Sequence, residues 1–114
     1  MITRFAELSG DKGRHHMAPD AQGRIMAHGL LTATLPTELG GQMDYMAQTM
    51  HFEFLGAVYA GDELECVGVV ASAAKKPLSW RVSFTFEVRN QDGRLVLRGT
   101  TAGVILRGPA RTRP

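Results

Sequence analysis

The stretch IMAHGLLTATLPTEL, from Ile25 to Leu39, contains apolar or small residues at almost every position. A helix that is hydrophobic on nearly all sides is typical of the buried centre of a domain rather than of its surface. Pro36 lies inside the stretch and is expected to end or kink the helix, and Gly40-Gly41 is expected to close the segment. The stretch therefore predicts one central buried α-helix.

After this helix the sequence changes to the two-residue period of β-strands. The clearest strand is Ser79–Arg89, in which apolar side chains alternate with polar and charged ones. Such alternation is typical of an antiparallel sheet with one buried face. Three more strands are predicted at 48–58, about 63–73 and 95–106, with turns at 59–62 and 90–93. The economical arrangement is an α+β fold in which the sheet curls around the central helix and buries it.

The residues before the central helix predict a short helix and a loop. Ile2, Phe5 and Leu8 have helical spacing, and Gly10 is a stop signal for a helix over residues 2–9. A polar loop is expected from Asp11 to about residue 23. The chain has 114 residues, a length at which a protein forms a single hydrophobic core. We expect a single domain over residues 1–106 and a basic, flexible tail over residues 107–114.

Charge and cysteine usage limit the possible partners. The net charge is only +2, and no basic stripe alternates with exposed aromatic residues, so binding to nucleic acid is not expected. No apolar run is long enough for a membrane span, and the first residues lack a signal-peptide pattern. The single cysteine, Cys66, is expected to act as a small buried hydrophobic residue, which fits a reducing, cytoplasmic location. Unpaired sheet edges favour a homodimer or a higher homo-oligomer.

The residues that could take part in a chemical reaction lie between Asp11 and Gly29. Asp11 and His16 stand five positions apart on a glycine-rich loop, and His28-Gly29 follows near a possible helix N-terminus. A carboxylate and an imidazole can move protons, and unpaired N–H groups at a helix start can stabilise a negatively charged oxygen. Taken alone, Asp11 could simply stabilise a turn, and His28 is more readily structural than a proton donor.

The remaining histidines carry weaker predictions. His15 is expected to point away from His16 and into solvent, and His51 is expected on the polar face of a strand. The four histidines show no metal-ligand spacing, and the chain has no second cysteine, so no metal site is predicted.

The order of these motifs resembles that of the MaoC-like acyl dehydratases and (R)-specific enoyl-CoA hydratases, which have the hotdog fold. The likeness covers nearly the whole chain, beginning at Phe5-Ala-Glu-Leu-Ser-Gly-Asp11 and continuing through Gly23 to Leu35. It resumes at residues 52–64 and at Val88-Arg-Asn-Gln-Asp-Gly93. The family signature of an Asp followed after four residues by a His is met by Asp11 and His16.

The resemblance implies a lyase of fatty acid metabolism that adds or removes water across the 2,3 double bond of an acyl thioester. Asp11 and His16 would form the acid–base pair, and the Gly29 N–H would bind the thioester oxygen. His28 and Thr37 would belong to the same oxyanion and substrate-binding site. The substrate would be carried by coenzyme A or by an acyl carrier protein, and no further cofactor is implied.

Two other functions remain open at this stage. The same fold and oxyanion donor would serve a hotdog acyl-CoA thioesterase, in which the pair activates water for attack on the carbonyl carbon. Alternatively, the chain could be a non-catalytic acyl-thioester-binding subunit of a heteromeric dehydratase, because Gly13-Arg14-His15 replaces the Asn-Pro that usually precedes the loop histidine.

Overall fold

A computed structural model describes residues 1–106; the basic tail predicted at 107–114 lies outside the described residues. Within residues 1–106, helices come first and strands follow. The helices are α1 (Ile2–Ser9), α2 (Arg14–Met17), α3 (Gly29–Thr32) and α4 (Thr34–Gln42). The strands are β1 (Tyr45–Phe54), β2 (Glu65–Lys75), β3 (Ser79–Arg89) and β4 (Leu95–Leu106).

The first helix is confirmed over its predicted length. It ends at Gly10, whose positive φ of 81° lets its N–H bond back to the carbonyl of Ala6. The loop that follows contains one short helix, α2, which the sequence did not predict. This turn of helix carries His16 inward, where the side chain is buried.

The central helix begins four residues later than predicted, at Gly29 instead of Ile25. Residues 25–27 are extended because they bond to a distant segment: Ala27 N–H donates to the Val58 carbonyl, and Met26 forms a β-bridge with Tyr59. Local apolar composition could not reveal this tertiary pairing, which overrides helix propensity.

The helix is also interrupted and then continues further than expected. It breaks at Ala33 between α3 and α4, three residues before Pro36. Proline lacks an N–H and its ring would collide with the carbonyl of Thr32, so a break here confirms the expected kink. Pro36 itself sits in the first turn of α4, and α4 runs through Gly40 and Gly41, so these glycines do not close the segment.

The strands form one antiparallel sheet in the order β1-β4-β3-β2. The bounds of β3 and β4 match the predictions, and Gly93 turns their hairpin with a φ of 76°. The prediction of the first strand at 48–58 is wrong by several residues, since β1 begins at Tyr45 and ends at Phe54. β1 also has a bulge between Ala47 and Thr49. β2 is shifted two residues toward the C-terminus and is an edge strand.

The core lies where α3 and α4 meet the inner face of the sheet. Its buried members are Ala33, Val58, Phe86, Val88, Val96 and Leu97. The prediction of a fully enclosed helix is wrong for the single chain, because Leu30 on α3 is 62% exposed. The sheet covers one side of the helix and leaves the other side open. Most of β2 is exposed as well, although Cys66 is half-buried.

None of the helices within residues 1–106 combines the length and the apolar character needed to cross a membrane.

Candidate active site

A cleft of about 740 Å³ opens at the start of α3. One wall comes from the loop that carries Asp11 and His16, and the other comes from Phe54 at the end of β1 and from residues 55–58 after it. His28 and Gly29 lie between these walls. The structure therefore brings together four of the five site residues that the sequence predicted.

Asp11 and His16 face each other in this cleft. The distance from His16 Nε2 to Asp11 Oδ2 is 3.6 Å, and the side chains are 5% and 58% exposed, respectively. Asp11 Oδ1 accepts a hydrogen bond of 3.2 Å from the N–H of Gly13, which leaves Oδ2 directed at the histidine. The carboxylate is thus open to an incoming molecule while the imidazole is held inside the protein.

A hydrogen bond to the backbone determines which nitrogen of the His16 ring carries the hydrogen. Its Nδ1 lies 2.8 Å from the carbonyl oxygen of Met26, and a carbonyl only accepts, so Nδ1 carries the hydrogen. In the neutral ring, Nε2 therefore presents a lone pair toward Asp11. A water molecule in the cleft could donate to both Asp11 and His16.

His28 is buried beside this pair, with only 2% of its surface exposed. Its Nε2 donates to the backbone carbonyl of Asp11 at 2.8 Å, and its Nδ1 has no hydrogen-bond partner among the described residues. The rings of His28 and His16 are stacked, with centroids 3.7 Å apart and planes 18° apart.

His15 lies closer to His16 than the sequence predicted. It is exposed, as expected, but its ring centroid is only 3.8 Å from that of His16, so the two rings are in contact. His16 is therefore sandwiched between an exposed imidazole and a buried one. His51 is exposed on β1, as predicted.

Gly29 supplies an unpaired backbone donor. It is the first residue of α3, and among residues 1–106 its N–H has no acceptor. A Cβ at this position would stand 2.7 Å from the ring of Phe54, so only glycine leaves this ring in place. Because α3 has only four residues, the donor is this N–H itself rather than the dipole of a long helix.

Thr37 does not join the other site residues. Its hydroxyl donates to the carbonyl of Ala33 at 3.1 Å, and it lines a different cavity of about 430 Å³ between α4 and the sheet. Thr32, one turn after His28, is buried and lines the cleft around Asp11 and His16 instead. Thr32 was not predicted from the sequence as a site residue, although its position four residues after His28 places it on the same helix face as His28.

Asp11, His16 and His28 also form a group that the spacing of the histidines did not indicate. Each offers one potential metal-ligand atom, and these atoms lie within 4.8 Å of one another. A histidine binds a cation along the lone pair in its ring plane. Two rings stacked at 18° hold their lone pairs in nearly parallel planes, so one ion cannot lie in both. The residues as arranged do not fit a shared metal.

No protein-family model and no curated protein sequence matches the chain. Solved structures do match it. The (R)-hydratase from A. caviae involved in PHA biosynthesis is 25% identical with a TM-score of 0.78, over 95% of this chain and 85% of that one. R-hydratase PhaJ1 from Pseudomonas aeruginosa is 23% identical with a TM-score of 0.80, over 95% and 73%. The MaoC-like dehydratase from Rhodospirillum rubrum is 22% identical with a TM-score of 0.76, over 95% and 83%.

The chain thus has the hotdog fold of the MaoC-like dehydratases and (R)-hydratases, which confirms the resemblance found in its sequence. Two further solved structures match with lower TM-scores. A hypothetical thioesterase with coenzyme A from Streptococcus pneumoniae is 20% identical, with a TM-score of 0.59 over 80% of this chain and 73% of that one. The HadBC dehydratase complex from Mycobacterium tuberculosis is 19% identical, with a TM-score of 0.65 over 89% and 82%.

Proposed function

We propose that the protein is a hydratase/dehydratase that adds or removes water across the 2,3 double bond of an acyl thioester. The observation that carries this proposal is the approach of His16 Nε2 to within 3.6 Å of Asp11 Oδ2 in a cleft that also contains the free N–H of Gly29. The structural similarity to (R)-hydratases supports the same reaction class.

In the proposed reaction the Asp11–His16 pair first accepts and then returns a proton, and the N–H of Gly29 stabilises charge between these two steps. In the hydration direction, the Asp11–His16 pair takes a proton from water as its oxygen bonds to the β-carbon. The electrons of the double bond move toward the thioester oxygen, where the N–H of Gly29 stabilises the developing negative charge. The pair then supplies a proton to the α-carbon. The reverse sequence is dehydration.

The substrate we propose is an acyl group on coenzyme A or on an acyl carrier protein. The cleft suits it because the wall opposite Asp11 is apolar, with Phe54, Leu55 and Val58 along it. A thioester-bound acyl chain needs an apolar wall beside the polar reacting atoms. The homodimer and the cytoplasmic location stay predictions.

The direct test follows the absorbance of the enoyl-thioester band of crotonyl-CoA, with a thiol-trapping dye in a parallel reaction. A hydratase removes the band without releasing thiol. Loss of the band together with stoichiometric thiol release would contradict the proposal.

Cys66 is the one thiol of the chain that could give background in the dye reaction. Burial raises the pKa of this thiol. At pH 8 it therefore holds less reactive thiolate than a free cysteine does, and we expect the native protein to label slowly with iodoacetamide. Mass spectrometry over time should show slow labelling that becomes fast in denaturant. Equal rates in the two conditions would refute this expectation.

A thioesterase is the second candidate, because one structural neighbour is a hypothetical thioesterase with coenzyme A. In that reaction the Asp11–His16 pair would direct water to the carbonyl carbon, and the thiol would leave. The dye reaction separates this candidate from the hydratase.

A non-catalytic subunit is the third candidate, because the HadBC complex is a neighbour. Saturable binding of acyl-CoA without turnover, or activity only after a second subunit is added, would support this function.

The Gly29 donor can be tested by comparing two substitutions. His28 is extended, with φ −64° and ψ 141°, which suits a following proline, and proline is tolerated at the first helical position. Gly29→Pro removes the N–H, whereas Gly29→Ala keeps it but adds a Cβ close to Phe54. We expect kcat of Gly29→Pro to fall on the order of 10²-fold below that of Gly29→Ala. Equal kcat values would exclude this N–H as the oxyanion donor.

A further inference from the structure

His28 is too enclosed to be a residue that binds substrate or transfers a proton to it. Its Nε2–H is already bonded to the Asp11 carbonyl, and its Nδ1 is buried and cannot be reached from the cleft. Both ring nitrogens are therefore unavailable to a ligand, although His28 is one of the residues that line the cleft.

The hydrogen bond from His28 to the Asp11 carbonyl nevertheless anchors the loop that carries Asp11. Asp11 lies on an exposed loop, and its other hydrogen bonds reach only Ser9 and Gly13, each two residues away. Among the described residues, the 2.8 Å bond from His28 Nε2 is the only hydrogen bond that joins Asp11 to a distant part of the chain. It fixes the backbone from which the Asp11 carboxylate projects.

The ring of His28 also constrains His16. Stacking at 3.7 Å fixes the plane of the His16 ring, and the bond from His16 Nδ1 to Met26 fixes its rotation within that plane. With both constraints, Nε2 of His16 can point only toward Asp11. Phe5 of α1 contacts His28 edge-on, with the two ring centroids 4.9 Å apart, and holds His28 against His16.

We propose that His28 is a positioning residue that holds both members of the Asp11–His16 pair, one through a hydrogen bond and the other through ring stacking. This inference rests on the proposed function, since the pair is taken as the acid–base machinery. Groups that move protons must be held within a fraction of an ångström of their working geometry, and a displacement of about 1 Å can cost about 10²-fold in rate.

Three substitutions separate the two contributions of His28. His28→Gln keeps an N–H donor three bonds from Cβ but loses the ring. His28→Phe keeps a stacking ring but loses the donor, and His28→Ala loses both. His51→Ala is the matched control, because it removes an exposed imidazole on β1 outside the cleft.

We expect His28→Ala to lower kcat for crotonyl-CoA by about 10²-fold with KM almost unchanged, and His28→Gln and His28→Phe each to recover part of the loss. A rise in KM at constant kcat would overturn the proposal, because it would indicate direct contact with substrate. Circular dichroism of each variant checks that it is folded, and His28→Phe, which keeps a ring of similar shape in the buried site, keeps the test valid if His28→Ala does not fold.

A second readout does not depend on activity. In the wild type and in His51→Ala, the ¹⁵N shifts of His16 should show a protonated Nδ1 and an unprotonated Nε2 when the ring is neutral. In His28→Ala, loss of the stacking contact should let the His16 ring turn away from the Met26 carbonyl, so that both tautomers are populated. Unchanged His16 shifts in His28→Ala would overturn the positioning role, whereas absence of wild-type turnover with altered shifts would reject only the proposed function.

Discussion

Asp11→Asn should lower kcat/KM for hydration of crotonyl-CoA by between about 10² and 10⁴-fold. The substitution removes the charge and the proton-accepting capacity of the carboxylate. It keeps an oxygen where Oδ1 accepts the Gly13 N–H at 3.2 Å, so the loop should keep its shape. The measured loss would then report proton transfer rather than misfolding.

Asp20→Asn is the matched control for this substitution. Asp20 also closes a turn through its Oδ1, which accepts from the N–H groups of Gln22 and Arg24 at 2.9 Å each, but it lies outside the cleft. We expect its kcat/KM to stay close to that of the wild type. An Asp11→Asn variant with full activity would remove Asp11 from the mechanism.

Gly99→Ala should destabilise the protein by about 3 kcal/mol, near the upper end of what overpacking costs. Gly99 on β4 lies between Phe52 on β1 and Phe86 on β3. A Cβ there would collide with the backbone carbonyl oxygen of His51 and would stand 2.7 Å from the Phe86 ring. A ring can move, but the carbonyl belongs to the neighbouring strand, so β1 would have to separate from β4.

The expected loss corresponds to a fall in Tm on the order of 10 °C for a domain of this size. Gly41→Ala is the control, because a Cβ on Gly41 meets nothing within 4 Å and the residue lies inside α4. In a helix, this change should stabilise by about 0.5–1 kcal/mol. Equal Tm values for the two variants in a thermal melt would show that the contact around Gly99 is not tight.

The strands of the second hairpin could be predicted because the information is local. Alternation in β3 and the turn at residues 90–93 define both bounds without reference to any other part of the chain. The start of the central helix could not be predicted in this way. Residues 25–27 are apolar enough for a helix, and their bonds to residues 58–60 and to His15 make them extended.

The site was partly predictable for the same reason. The pairing of Asp11 with His16 and the glycine at the helix start are sequence motifs, and the cleft contains both. The contact between His16 and His28 is not a motif, because the rings come from positions twelve residues apart. They meet because the N–H of Met26 bonds to the His15 carbonyl, a contact that no spacing rule describes.

The two walls of the cleft differ in chemical character. Its ionisable lining residues, among those described, all fall between Asp11 and His28, while β1 and the residues after it contribute apolar side chains. The sheet holds together through pairings that do not involve the loop. The ionisable groups and the apolar wall of the cleft therefore come from two separate segments of the chain, and the bonds of Met26 and Ala27 to Tyr59 and Val58 hold these segments against each other.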